Sequence, residues 1–281
     1  MEEPDSGALF SEQIDDVGAT KVELTDARSI LTRASGFMKE YDFTLNPYSG
    51  CSFGCTYCYA AFFSRDQELQ NSWGEWVKVK QNALKILKNM RTNLTDKSIY
   101  MSSVTDPYQP IERKLKLVRR LLIELAKSQP RLVVQTRSPL VTRDIDILKE
   151  FNKVSVNMTI TTDSEEVRRV FEPKCPTNAL RLEAIKKIQA AGGLDAGITL
   201  TPLLPIGDVE KFADQLLETG VQRYVIQPFH PERGRFVAST RNAAVALSKD
   251  MGWNANRHQE VVEALRKRLP RLTEGKEGFA P

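Results

Sequence analysis

Three cysteines lie close together in a stretch rich in small and aromatic residues. Cys51, Cys55 and Cys58 follow the spacing C-x3-C-x2-C. Three thiolates at this spacing can hold three irons of a [4Fe–4S] cube, which leaves the fourth iron open to a small molecule. The small residues inside the loop and the aromatic Tyr59 after the last cysteine favour this interpretation. The spacing therefore predicts a cluster site with these three cysteines as ligands.

Zinc binding, a redox couple and a disulfide are the other common uses of closely spaced cysteines. A zinc site needs a fourth ligand nearby, whereas His230, His258 and the fourth cysteine, Cys175, are all distant in sequence. An odd, tight group of thiols also suits a metal better than a bridge. The cluster is therefore the favoured interpretation, and a non-catalytic iron–sulfur protein that carries electrons or senses redox state remains open.

Longer motifs surround the cysteines and recur further along the chain. They read Asn46-Pro-Tyr-Ser-Gly-Cys51, Tyr57-Cys-Tyr-Ala60, Thr105-Asp-Pro-Tyr-Gln-Pro110, Phe171-Glu-Pro173 and Arg181-Leu-Glu-Ala184. In these motifs the sequence resembles the radical S-adenosylmethionine (SAM) superfamily, and within it the subgroup related to spore photoproduct lyase, often labelled DNA repair photolyase-like. The resemblance covers about residues 30 to 230 and implies two cofactors, a [4Fe–4S] cluster and SAM.

The resemblance also implies a reaction and its partners. In this superfamily the reduced cluster gives one electron to SAM, which yields methionine and a 5′-deoxyadenosyl radical that abstracts hydrogen from the substrate. A nucleic-acid substrate, such as a damaged or modified base, is expected, together with an electron donor such as flavodoxin or ferredoxin. A radical SAM enzyme acting on a small metabolite or a peptide is the alternative, because no long basic stripe or base-stacking platform is evident.

The elements that must position these motifs alternate between β-rich and helical patterns. Strands are predicted at Phe43–Leu45, Ser98–Val104, Arg131–Thr136, Val154–Thr161, Ala196–Leu200 and Tyr224–Gln227. Helices are predicted at Trp76–Met90, Ile111–Lys127, Thr142–Phe151, Asn178–Ala191 and Val209–Glu218. Six β/α repeats indicate an α/β fold with a parallel sheet. A cysteine loop replaces the glycine-rich dinucleotide loop after the first strand, which favours a partial (β/α)6 TIM-type barrel over a doubly wound sheet.

Composition and pattern divide the chain into three parts. We predict a polar N-terminal extension over residues 1–30, the barrel over residues 31–235 and a helical C-terminal extension over residues 236–281. With 281 residues, 41% of them hydrophobic, the chain can bury a large core. No apolar run could span a bilayer and no signal peptide or disulfide pattern is evident, so a cytoplasmic protein with no membrane partner is expected. The net charge of +4 is compatible with nucleic acid, and the oligomeric state is left open.

Polar residues at the strand ends are candidates for holding SAM, because functional groups of parallel β/α barrels collect at that face. By the resemblance, Thr105 and Arg137 fall near SAM-contacting positions, and Asp106 and Thr161 are further cofactor-binding candidates. Serine and threonine at strand ends also commonly serve as turn and cap residues. That structural role is the alternative to cofactor binding for each hydroxyl.

Hydrogen-atom transfer has three candidate residues. Tyr57 and Tyr59 flank Cys58, and the resemblance implies that a tyrosine here relays a hydrogen atom, with shielding of the cluster as the alternative. Ser103 stands where the lyase has its hydrogen-donating cysteine, and a serine O–H bond is too strong for that role. Cys175 follows the fourth strand and is the candidate substitute donor, although a lone cysteine is often structural.

Charged residues after the fourth predicted strand have two interpretations. An arginine there could pair with the SAM carboxylate as a planar fork. Arg168 and Arg169 are predicted to lie on a solvated helix face instead, whereas Glu172 and Arg181 are left open between function and structure.

Overall fold

The computed structural model describes residue 16, residues 18–229 and residues 240–279. Its strands are β1 (Lys21–Thr25), β2 (Leu31–Arg33), β3 (Phe43–Leu45), β4 (Tyr48–Gly50), β5 (Trp76–Lys80), β6 (Ser98–Met101), β7 (Arg131–Thr136), β8 (Val154–Thr159), β9 (Asp195–Leu200), β10 (Arg223–Ile226) and β11 (Leu272–Glu274). Its α-helices are α1 (Gln67–Asn71), α2 (Ala83–Lys88), α3 (Glu112–Leu115), α4 (Leu117–Ala126), α5 (Ile145–Leu148), α6 (Glu165–Phe171), α7 (Asn178–Ala191), α8 (Val209–Leu217), α9 (Asn242–Asp250) and α10 (Ala255–Arg268).

The larger sheet has the strand order β11-β10-β9-β8-β7-β6-β3-β2. Its strands pair in parallel from β3 to β11, while β2 pairs antiparallel with β3. Strands β3, β6, β7, β8, β9 and β10 correspond to the six predicted strands, and β3 and β7 have the predicted bounds. The α/β partial (β/α)6 barrel is thereby confirmed.

The central strands are covered on both faces, as parallel strands usually are. Leu132, Val156 and Ile198 are fully buried in the main apolar core. A polar layer also lies between the strands, where Gln135 Nε2 donates to Thr159 Oγ1 at 2.7 Å and bonds Thr199 Oγ1 at 2.8 Å. The hydroxyl of Thr159 is thus engaged in the interior of the barrel.

A smaller sheet with the order β1-β5-β4 accompanies the barrel. Strand β5 alternates between half-buried and buried residues, pairs in parallel with β1 and pairs antiparallel with β4. The predicted helix over Trp76–Met90 is therefore wrong in its first part, and α2 occupies the second part. Strand β1 lies within the predicted N-terminal extension, which thus contributes a strand next to the barrel.

The predicted helix over Ile111–Lys127 is divided in two. Lys116 adopts a left-handed conformation with φ of 53°, which separates α3 from α4. The carboxylate of Glu112 accepts the amide N–H of Val118 at 3.0 Å, so a buried acid caps the first turn of α4. The predicted helix over Thr142–Phe151 is likewise shorter, because a 3-10 turn precedes α5.

The C-terminal region contains more than helices. Helices α9 and α10 fall in the predicted helical extension, and β11 then extends the parallel sheet beside β10. His230 and the predicted start of this extension at residue 236 lie outside the described residues. Among the described helices, none combines the length and the apolar character that crossing a bilayer requires.

Candidate metal centre and cofactor site

The cysteine loop, residues 51–58, begins directly after β4 and leads into a 3-10 helix at Tyr59–Phe63. Cys51 and Cys55 are buried and Cys58 is half-buried. The loop packs backbone against backbone, because a Cβ atom placed on Gly74 would lie 2.7 Å from the Cα of Gly54. Both glycines have positive φ, so close approach and conformation together explain their residue type.

The motif after β6 holds the start of the loop. Thr105 Oγ1 donates to the carbonyl of Gly50 at 2.6 Å. Gln109, fully buried, accepts the amide N–H of Ser52 at 2.9 Å. Gln109 was not among the predicted site residues, although its place in the motif after β6 was a signal. These bonds give Thr105 a role in positioning the loop.

A second set of bonds fixes the end of β6 against the same loop. Asn46 Oδ1 accepts the N–H of Ser103 at 2.9 Å, and Asn46 Nδ2 donates to Ser103 Oγ at 3.2 Å. The hydroxyl of Tyr59 donates to the carbonyl of Ser103. Burial raises the pKa of Tyr59 well above its usual value, so this phenol remains protonated as a donor.

The Phe171-Glu-Pro173 motif contacts the middle of the loop from the other side. The carbonyl of Phe171 accepts the amide N–H of Thr56 at 2.9 Å. The Sγ atoms of Cys55 and Cys175 lie 3.6 Å apart, although 120 positions separate them in sequence. The structure therefore brings the fourth cysteine to the cysteine loop, a contact that no local pattern indicated.

Arg168 holds the turn that carries Cys175. It is buried, and its Nη1 donates to the carbonyls of Glu172 and Cys175, at 3.0 Å each. The predicted solvated position is therefore wrong for Arg168, because these buried carbonyls need a donor. Arg169, by contrast, is exposed as predicted.

Glu172 is the centre of a buried polar cluster. It accepts the hydroxyls of Tyr57 at 2.5 Å and Thr161 at 2.9 Å. Arg137 and Arg181 approach its carboxylate at 3.0 Å and 2.5 Å. Burial alone would raise the pKa of Glu172, but the charges of the two arginines outweigh it and lower the pKa to about 2.

Arg137 connects this cluster to the cysteine loop. Its Nη1 lies 3.1 Å from Cys55 Sγ and 2.6 Å from the Tyr57 hydroxyl. Burial opposes its charge, but Cys55, Tyr57 and Glu172 together raise its pKa well above the usual value. The side chain is still 17% exposed, so a fixed cation at this strand end can meet an anionic group.

Asp106 links two strand ends. It is buried and accepts the Thr136 hydroxyl at 2.7 Å and the backbone N–H groups of Arg137 and Tyr108, both at 2.9 Å. Burial raises its pKa in spite of these bonds. Its carboxylate is thus engaged in holding the backbone that carries Arg137.

The loop thiols differ in their electrostatic surroundings. Burial raises the pKa of Cys51, and it raises that of Cys58 to about 12. The pKa of Cys55 is lowered, chiefly by the hydrogen bond from Cys175, with a further contribution from the charge of Arg137. Cys55 is therefore the loop thiol whose thiolate is best stabilised.

The donor set fits a [4Fe–4S] cluster: three cysteine sulfurs on one largely buried loop with a cation beside one of them. In the described ranges no three His, Cys, Asp or Glu side chains are grouped so that they could hold one ion. At the end of β6, the buried Ser102 Oγ lacks a hydrogen-bond partner within the described chain, which fits a polar cofactor at this face.

Comparison with known proteins gives related sequences and a related fold. A protein of Methanocaldococcus jannaschii described as uncharacterised is 36% identical over 169 residues, 60% of this chain. An uncharacterised protein of Mycobacterium bovis is 30% identical over 241 residues, 80% of this chain. The chain matches 63% and 66% of the lengths of these two relatives.

Among solved structures, spore photoproduct lyase complexed with dinucleoside spore photoproduct superimposes with a TM-score of 0.61. The match covers 90% of this chain and 81% of that one at 15% identity, so it establishes a common fold. The sequence profile described as the radical SAM superfamily matches residues 45–216, more than half of the chain. That superfamily uses a [4Fe–4S] cluster together with SAM, and this chain belongs to it.

Proposed function

We propose that this radical SAM protein binds its cluster through Cys51, Cys55 and Cys58, cleaves SAM reductively and acts on a nucleic acid or a modified base. The observation that carries the cluster and SAM assignment is convergence: motifs around residues 46–60, 105–110 and 171–181 meet at one loop. When bound, the cluster and SAM together supply a 5′-deoxyadenosyl radical that removes hydrogen from a C–H bond.

The four cofactor-binding candidates divide into two roles. Arg137 is the direct contact, because its partly exposed guanidinium lies beside Cys55 and can pair with a carboxylate. Thr105 holds the backbone before the loop, Asp106 holds the backbone of Arg137, and Thr161 acts through Glu172. These three position the site rather than bind SAM with their side chains.

The hydrogen-transfer candidates also differ in surroundings. Tyr57 donates to Glu172 and therefore serves chiefly to hold the buried cluster of charges. Tyr59 is half-buried and reaches the carbonyl of Ser103, at the strand end where the lyase has its donor, so it is the better relay. Cys175 is the remaining thiol, and its place against Cys55 puts it near the cluster ligands.

The substrate class has weaker but specific support. The structural neighbour was solved with a dinucleoside spore photoproduct. Arg241, at the start of α9, carries a charge that favours the Cys58 thiolate, although burial raises the pKa of Cys58 overall. Together with Arg137, it gives the loop two cations that could meet a phosphate. Because Ser103 replaces the lyase thiol, we expect little repair of spore photoproduct by this chain.

Anaerobic reconstitution tests the cofactor chemistry. Protein reconstituted with iron and sulfide, then given SAM and dithionite, should release 5′-deoxyadenosine detectable by mass spectrometry, even without substrate. Cys58→Ala is the matched negative control, and Arg113→Ala, on the exposed side of α3, is the positive control. No 5′-deoxyadenosine from protein that contains a full cluster would overturn the enzymatic assignment.

Oligonucleotide binding tests the substrate class. Affinity for a single-stranded oligonucleotide should fall steeply with salt, since each neutralised phosphate adds to the slope. Arg241→Ala should weaken binding and reduce that slope. Binding that is absent at low salt would favour a small metabolite or a peptide as substrate.

A further inference from the structure

Cys175 is the cysteine outside the C-x3-C-x2-C spacing, and its position is well defined. It lies on the turn after α6, which Arg168 holds through two carbonyl bonds. Lys174 donates from the same turn to the carbonyl of Gly74, which packs on the cysteine loop. Arg168 thus stabilises the turn internally, and Lys174 anchors it next to the cysteine loop.

Cys175 lies against one of the three loop cysteines, Cys55. The Sγ atoms of Cys55 and Cys175 are 3.6 Å apart, and both residues are buried, at 4% and 7% exposure. A disulfide needs its sulfurs about 2.05 Å apart, so the two Sγ atoms would have to approach each other by roughly 1.5 Å. Cys175 therefore adds to the three predicted cluster ligands a fourth thiol that one of them can reach.

We propose that Cys175 is a resolving cysteine that protects Cys55 of the cluster-free chain from irreversible oxidation. Hydrogen peroxide is the oxidant, because it is small enough to reach a buried sulfur. One of the two sulfurs attacks peroxide, the O–O bond breaks, and a sulfenic acid and water form. The other thiol then attacks that sulfur, and the S–S bond forms as a second water leaves.

The overall step is balanced: two thiols and one peroxide give one disulfide and two waters, with both sulfurs oxidised and peroxide reduced. The product removes Cys55 from the set of available ligands but preserves it, because a disulfide is reducible whereas a sulfinic acid is not. The pairing needs no cluster. Its consequence for cluster loading rests on the function proposed above.

Peptide mapping tests the pairing directly. Trypsin places Cys175 alone on residues 175–181, whereas the three loop cysteines share residues 40–65. Cluster-free protein treated with peroxide should yield these two peptides joined by a disulfide. The join should persist in Cys51→Ser and Cys58→Ser and vanish in Cys55→Ser and Cys175→Ser. A disulfide within residues 40–65 of the parent chain, or a join that survives Cys55→Ser, overturns the proposal.

Iron uptake tests the protection. After peroxide, its removal by catalase and treatment with a phosphine reductant, the parent should recover its iron content on anaerobic reconstitution. Relative to its own iron content without peroxide, Cys175→Ser should recover much less than the parent, and mass spectrometry should find Cys55 as a sulfinic acid. Equal recovery by both proteins contradicts protection. Failure of both to bind iron without peroxide would instead contradict the proposed cluster site, while the peptide map still decides the pairing.

Discussion

Two fully buried glutamates make similar contacts in different parts of the barrel. Glu112, at the start of α3, accepts the hydroxyl of Tyr48, and Glu172, at the end of α6, accepts the hydroxyl of Tyr57. Each also pairs with arginine. Their surroundings nevertheless differ in the ratio of acids to arginines and in the groups that the arginines contact on their other side.

The Glu112 network is closed. Arg143 pairs with Glu112 at 2.6 Å and with the buried Asp144 at 2.7 Å. Arg119 pairs with Asp144 at 3.0 Å and with Asp146 at 2.6 Å, so two guanidiniums face three acids. Burial raises the pKa of Glu112 although Tyr48, Arg143 and the Val118 amide all favour its charged form. These partners belong to the packing of α3, α4 and the following 3-10 turn.

The Glu172 network, by contrast, extends to the cysteine loop. Here two guanidiniums, of Arg137 and Arg181, face one acid, and Arg137 continues to Cys55 Sγ. Burial and ion pairing alone therefore do not mark a functional site. The excess cation and its contact with a predicted ligand distinguish the second network from the first.

Replacing Cys55 should have the largest effect. Reconstituted parent protein should contain about four irons, and Cys55→Ala should contain almost none, since one ligand and the end of the Glu172 network are removed. Glu112→Gln is the control and should bind iron like the parent. Iron and sulfide assays on anaerobic samples measure both. An unchanged iron content in Cys55→Ala would show that this loop does not hold the cluster.

The two glutamates should differ in stability. Glu172→Gln leaves the fully buried Arg181 without a counter-charge, and breaking a buried pair in this way costs about 3–5 kcal/mol. Glu112→Gln should cost less, about 1–3 kcal/mol, because Arg143 keeps Asp144. Urea unfolding of the cluster-free proteins gives both values. A larger loss of unfolding free energy for Glu112→Gln than for Glu172→Gln would contradict this prediction.

Acid should affect the two networks with opposite sign. The pKa of Glu172 falls from 4.5 to about 2 on folding. Its contribution, roughly 3 kcal/mol, should be present above pH 4.5 and lost as the pH falls toward 2. Glu112 has a raised pKa, so its contribution is present below its unfolded pKa and is lost as the pH rises through the folded pKa.

The measurement is the free energy of unfolding of the parent, Glu172→Gln and Glu112→Gln across acidic pH. The difference between parent and Glu172→Gln should shrink on acidification, while that between parent and Glu112→Gln should grow. If both differences changed in the same direction on acidification, the two networks would not differ as described.

Removing Arg137 should have the smallest effect among these changes, and that effect should fall on SAM binding. Arg137→Ala should weaken SAM binding by about 1–3 kcal/mol, the usual consequence of losing a charged partner. Arg143→Ala should destabilise the fold without changing SAM affinity per folded molecule. Equilibrium binding of SAM to reconstituted protein separates the two, and equal affinities for Arg137→Ala and parent would reject Arg137 as a contact.

Local patterns predicted much of the barrel. Helix α7 has the predicted bounds, because Thr177 caps its first turn and Gly192 follows its last residue. The prediction of a helix at β5 was wrong because the strand depends on a distant partner. Its partner β1 lies about fifty residues earlier in a polar segment, where the sequence pattern did not predict a strand. The division of Ile111–Lys127 depends on a left-handed Lys116, for which the residue type gives no signal.

The candidate site was predictable in its parts and not in its connections. The cysteines, Thr105, Arg137 and Glu172 stand out in motifs, but which side chain meets which depends on the barrel bringing distant strand ends together. The contact between Cys175 and Cys55 is of this kind. The buried position of Arg168 follows from two carbonyls that exist only once the turn has formed.

Strand β1 has a consequence for where the chain can be shortened. All the motif residues lie after residue 40, so a cut before residue 31 would leave every predicted ligand in place. Such a cut would nevertheless remove β1 and leave β4 and β5 as a two-stranded ribbon, which is marginal in water. The freed edge of β5 would offer unpaired amides and carbonyls to other copies of the chain. A chain truncated to the motif-bearing region should therefore self-associate through the exposed edge of β5, beside the cysteine loop.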